Sequence, residues 1–236
     1  MLAMFLFFRR CITTDTITKN RFISDAGNGV VVSSNGNFKL SFFSPGKSPN
    51  RYVGILFDKI PQQTVVWVAN TDNPLKNATG VFKITDDGNI AVFDSVNERL
   101  PLWSSNATTA NSTAKLLDSG NLVLISTNGL VVWQSFDYPT DTALPGMKLG
   151  LDKRTGLNRI LTSWKSEDDP AQGEFSFRLD LRGLPQFFLY KGFAANWRAG
   201  PWNGRTLSGV PTLVCTTEVE DLCKFSFVNN RDEGRF

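Results

Sequence analysis

The stretch TDDGNIAVFD, Thr85 to Asp94, places two carboxylates, a glycine and an asparagine immediately before an apolar run. Residues of these types could serve two chemistries. Paired acids such as Asp86 and Asp87, or Glu167, Asp168 and Asp169 in SEDDPAQG, could hydrolyse a glycosidic bond if they faced each other across a cleft ~5–9.5 Å wide with one pKa raised by burial. An Asp and an Asn two residues apart project from one face of a strand, where they could hold sugar hydroxyls. Both acidic clusters sit in turn-like sequence rich in Gly or Pro, so solvated loop charge accounts for them better than catalysis. The Asp-Gly-Asn corner is itself a hairpin signal, because Gly and Asn tolerate the positive φ of tight turns. LLDSGNLVLIS and SSNGNFKLSFF repeat the device.

Other chemistries are excluded more simply. The chain contains no histidine, which removes Ser-His-Asp and Cys-His catalysis, histidine metal ligation and the usual pH switch. Three cysteines, Cys11, Cys215 and Cys223, are too few and too dispersed for a four-cysteine zinc site. Cys215 and Cys223 are read either as a disulfide or as two free thiols. The 25 Lys and Arg are interspersed with 22 Asp and Glu, without the clustered basic stripe of a nucleic-acid binder. The expectation is therefore no metal, no cofactor and no nucleic acid.

Compartment is read from Asn-x-Ser/Thr acceptors at Asn77, Asn106 and Asn111, which together indicate the secretory pathway. The opening MLAMFLFFRRC has a short apolar run without the basic residues that normally precede one, and is read as a degenerate or truncated signal segment over 1–14. No run approaches the ~20 apolar residues of a membrane span.

The elements that would position these residues are short strands. GVVVS, FKLSFF, YVGILF, TVVWVA, GVFKI, NIAVF, NLVLI and LVVWQ are each bounded by turn formers, with no useful helical period between them. Corner asparagines at Asn37, Asn89 and Asn121 are each followed by a Trp strand carrying Trp67, Trp103 or Trp133. The Asn-to-Trp spacing is nearly equal in the last two copies and much longer in the first, which reads as an insertion there. Three such units, each with one apolar face, predict an all-β fold in which the Trp side chains fill a shared core.

At SFFSPGKSPNRYVGI, VVWVANTDNPL, LVVWQSFDYPTDTALPGMKLG, LTSWKSEDDPAQGEFSFRLDLRGLPQFFLY and RAGPWNG, the chain resembles the bulb-type lectin domain followed by an S-locus glycoprotein domain, as found in the extracellular part of plant S-receptor-like kinases. The resemblance implies a β-prism of three four-stranded sheets, with a lectin domain over 15–150 and a truncated S-locus glycoprotein domain over 151–236. Thr212 to Cys223 departs from the family pattern. Cys-rich, apple-type, transmembrane and Ser/Thr kinase modules would be expected further along, beyond Phe236, so the residues given are expected to be non-enzymatic. The implied setting is a secreted protein or the outer face of the plasma membrane, and the implied partner is a glycan, a protein or peptide ligand, or a related ectodomain. A stand-alone mannose-binding defence lectin is the alternative; a secreted carbohydrate-active enzyme is the less favoured one.

The family's sugar strand resembles Gln-x-Asp-x-Asn-x-Val-x-Tyr. Here the copies read Thr85, Asp87, Asn89, Ala91 and Phe93; then Leu117, Ser119, Asn121, Val123 and Ile125; then Ser33, Asn35, Asn37, Lys39 and Ser41. The corner asparagines are therefore expected to serve the fold first. Any sugar contact is expected on Thr85, Asp87, Asn89 and Phe93.

Overall fold

The computed structural model describes residues 14–107, 110–204, 206–209 and 226–236. Cys11, Cys215 and Cys223, and nearly all of the 1–14 segment, lie outside the described residues. In chain order the strands are β1 (Thr16–Ile17), β2 (Ile23–Ser24), β3 (Val30–Val32), β4 (Phe38–Phe43), β5 (Tyr52–Phe57) and β6 (Val65–Val68), followed by β7 (Gly80–Ile84), β8 (Ile90–Asp94), β9 (Trp103–Ser104), β10 (Ser112–Leu116), β11 (Leu122–Ser126) and β12 (Val131–Gln134). They form three antiparallel four-stranded sheets in the orders β3-β4-β5-β6, β2-β7-β8-β9 and β1-β10-β11-β12. The chain is all-β, with one short 3₁₀ turn, Ser135–Asp137, among the described residues.

Alternation sets which face is buried. In β7, Phe82 and Ile84 point inward while Val81 and Lys83 point outward; β4 buries Phe38, Leu40 and Phe42 in the same way. The inward faces meet in one core that includes Ile17, Ile55, Val92, Leu124 and the indoles of Trp67 and Trp133, with Trp103 packed on it. The three Trp residues contact one another edge to face, with centroids 5.7, 5.9 and 5.7 Å apart. Near-equal distances mean that the three sheets surround one axis. A bidentate pair between half-buried Arg51 and buried Asp25 ties two sheets together: Arg51 Nε donates to Asp25 Oδ2 at 2.8 Å, and Nη2 donates to the other carboxylate oxygen.

The second half contains β13 (Gly150–Asp152), β14 (Asn158–Arg159), β15 (Leu161–Ser166), β16 (Asp169–Asp180), β17 (Gln186–Lys191), β18 (Ala194–Arg198), β19 (Val228–Asn229) and β20 (Glu233–Arg235). These pair as β14-β13-β20-β19 and β15-β16-β17-β18. A smaller core of Leu179, Phe187 and Ala199, with Phe177 and Phe236 against it, holds the two sheets. The halves meet where Trp164 packs on Phe43, Tyr52, Leu56 and Val68, and where Asp168 accepts the Lys47 N–H at 2.7 Å. Gly46 makes that approach possible: its φ is +48°, and a Cβ there would lie 2.0 Å from Asp168 Oδ1.

Pairing corrects the expected repeat register. Ile55, Val92 and Leu124 are the cross-strand partners of Trp67, Trp103 and Trp133. Three residues earlier stand Tyr52, Asn89 and Asn121, so the first-repeat counterpart of the corner asparagines is Tyr52. Asn37 lies one strand too early, in the β3–β4 turn. That turn also uses a positive-φ glycine, Gly36, which is why the short sequence pattern looks the same.

Candidate functional site

The β7–β8 corner is closed by main-chain bonds, Thr85 N–H to Asn89 O at 2.8 Å and Gly88 N–H to Thr85 O at 3.0 Å, with Gly88 at φ +83°. Asp87 is exposed, yet its carboxylate is partly engaged. It accepts the Thr85 hydroxyl, the Asn89 side-chain N–H at 2.9 Å and the Asn89 backbone N–H at 3.3 Å. The Thr85 hydroxyl, followed by the Asn89 groups, holds the Asp87 pKa below its ordinary 3.8. The carboxylate is therefore charged at neutral pH and retains acceptor capacity toward solvent.

Asn89 is committed to the fold. It is only 9% exposed, and its Oδ1 accepts the Ser105 hydroxyl at 2.9 Å and the Ala107 N–H at 2.6 Å. Ser105 Oγ in turn accepts the N–H of Ile90, the first residue of β8, at 3.2 Å. The third repeat uses the same Asn-Ser pair: Asn121 Oδ1 accepts Ser135 Oγ–H at 3.1 Å and Phe136 N–H at 3.2 Å, and Ser135 Oγ accepts Leu122 N–H at 2.9 Å. The first repeat has Ala69 at the serine position. There Asn70, 1% exposed, takes over, accepting the Val53 N–H at 2.9 Å and donating to Asn73 O at 3.0 Å. Asn70, Ser105 and Ser135 thus accept the N–H of Val53, Ile90 and Leu122 near the starts of β5, β8 and β11.

At the far end of the strand, Phe93 is 8% exposed. The Lys83 ammonium sits 4.9 Å from its ring centroid and pairs with Glu98 at 2.6 Å. The structure thus brings Thr85, Asp87 and Asn89 into one hydrogen-bonded cluster, while Phe93 lies under a salt-bridged cap. Asn77, Asn106 and Asn111 are all exposed. Asn106 adopts φ +50° beside a cavity of about 400 Å³ lined by the three Trp residues and Tyr138. Among the described residues no group of three or more His, Cys, Asp or Glu could hold a metal, and no helix is long and apolar enough to cross a membrane.

Sequence reasoning missed two features. Asp25 with Arg51 and Asp137 with Arg159 are ion pairs between residues far apart in the chain, with no local motif to announce them. The Asn-Ser clasp could have been read from the recurrence of Ser two residues after Trp103 and Trp133.

Residues 64–165 match the family model described as D-mannose binding lectin. The G-type lectin S-receptor-like serine/threonine-protein kinase RKS1 of Arabidopsis thaliana is 43% identical over 100% of this chain and 28% of its own length. The S-locus-specific glycoprotein S6 of Brassica oleracea is 42% identical over 89% of this chain and 50% of its own. The chain thus spans about a quarter to a half of the curated relatives it matches. Among solved structures, a Marasmius oreades lectin aligns with TM-score 0.40 and 17% identity over 52% of this chain and 92% of the lectin. Along nearly its whole length the chain is thus 40–43% identical to G-type lectin S-receptor-like kinases and S-locus glycoproteins, and its residues 64–165 match the lectin family model.

Proposed function

We propose that the chain is an extracellular recognition module, carried through the secretory pathway, that contacts glycan or protein ligands at the cell surface. In this reading residues 15–150 form the lectin unit and residues 151–236 the S-locus glycoprotein part. The observation that carries it is the retained corner at β8, where an ionised, exposed Asp87 is held rigidly beside Asn89 on a three-sheet lectin frame. The same corner argues for weak sugar affinity. Asn89 spends its carbonyl inside the fold, Phe93 offers no hydroxyl, and each missing partner removes about 1 kcal/mol.

Titration of the secreted protein against immobilised mannose-rich glycan tests this. Weak binding is expected, abolished by Asp87→Ala and unchanged by Ser119→Ala. Strong binding that survives Asp87→Ala would place sugar recognition elsewhere. Glycosidase treatment of the same plant-expressed preparation should increase gel mobility through loss of glycans at Asn77, Asn106 and Asn111; unchanged mobility of a protein recovered from the medium would contradict their modification.

A further inference from the structure

A second pocket of about 260 Å³ opens where the third repeat meets the second half of the chain, lined by Asn121, Gln134, Phe136, Asp137, Lys148 and Arg159 among others. A relay of polar bonds builds its wall. Asn121 Nδ2 donates to Gln134 Oε1 at 2.9 Å, Gln134 Nε2 donates to Asp137 Oδ2 at 3.1 Å, and Arg159 Nε donates to Asp137 Oδ1 at 2.7 Å. Arg159 Nη2 lies 2.6 Å from that same oxygen.

The guanidinium is therefore fixed from one side only. Its side chain is 11% exposed, and of its five N–H donors those on Nη1 meet no partner among the described residues. Lys148, exposed on the rim, adds a second cation to a lining whose one carboxylate is that of Asp137, with the Glu233 carboxylate near enough to feel the Lys148 charge. Phe136 and Pro145 supply apolar surface beside these charges. The volume lies below the ~300–1,000 Å³ of drug-sized sites, which suits a single ring.

We propose that this pocket binds a sugar ring bearing a carboxylate, a hexuronate, with the carboxylate on Arg159 and Lys148 and the ring against Phe136. Charge-assisted bonds from a preoriented guanidinium are the strong kind, and the ring's C–H face matches the apolar wall. Asp137, itself bonded by Gln134, holds Arg159 in place and leaves the remaining guanidinium donors for the ligand. This pocket is separate from the β8 corner, so its occupancy is independent of Asp87.

The test is calorimetric titration of the whole protein with methyl galacturonoside, methyl galactoside and acetate. The uronoside should bind at least about tenfold more tightly than either comparison compound, and less tightly as salt rises. Lys148→Ala should weaken it several-fold, Arg159→Gln should reduce it about tenfold or more, and Asp87→Ala should leave it unchanged. Lys148 lies on the rim, so its variant reports on binding even if Arg159→Gln fails to fold. No binding of the uronoside, equal binding of the neutral glycoside or of acetate, or parental affinity in folded Lys148→Ala would each overturn the proposal.

Discussion

Asn89 carries more of the fold than its place in a sugar-strand pattern suggests. Removing its side chain strands the Ala107 N–H and leaves Ser105 without its acceptor. Leaving a buried donor unmet costs about 1–3 kcal/mol, so Asn89→Ala should lower the unfolding free energy by that much, read as a lower urea midpoint at unchanged slope. Asp87→Ala, at an exposed position, should cost less than about 1 kcal/mol; equal losses in the two variants would refute the division of labour. Acid should act through Asp87: its folded pKa is depressed, so its contribution is present above the ordinary 3.8 and is lost as pH falls through the lower folded value. The Asp and Asn of this corner were legible in the sequence because a tight hairpin leaves a local signature. The clasp partners lie a full strand pair away, and the Arg159 relay joins residues with no sequence pattern between them, so neither could be read locally.

Among the elements, strand existence was legible wherever alternation ran five or six residues, as in β4 and β7. It was not for β1 and β2, two residues each, which are too short for any period and form by pairing with β10 and β7. The first repeat was misread because its β4–β5 connection, Ser44 to Arg51, replaces the tight corner with a longer turn, while the β3–β4 turn imitates one. Within β5, Gly54 is required by packing: a Cβ would meet a Phe43 ring carbon at 2.5 Å and the Trp67 carbonyl oxygen at 2.9 Å. Gly54→Ala should therefore cost about 1–3 kcal/mol through overcrowding. Trp133→Ala should cost about 3–5 kcal/mol through a cavity. A chemical-denaturation loss below about 0.5 kcal/mol for Trp133→Ala, the surface range, would place that indole outside the core.

At the scale of the whole molecule, a few specific contacts join the two halves, the Asp137–Arg159 pair among them. Trp164 seats on the Phe43, Tyr52, Leu56 and Val68 cluster, and Thr162 N–H bonds Thr140 O at 2.7 Å. Calorimetry should show one cooperative transition for the parent chain and two for Trp164→Ala combined with Asp168→Ala, since each half has its own core. A single, equally sharp transition in the double variant would assign the coupling to other contacts. The three indoles on the axis have an optical consequence as well. At 5.7–5.9 Å their excited states couple, so the near-ultraviolet circular dichroism and the emission anisotropy belong to the trio and not to any one ring. Because each ring is carried by a different sheet, changing any one should collapse the shared signal, giving a built-in reporter of whether all three sheets are closed at once.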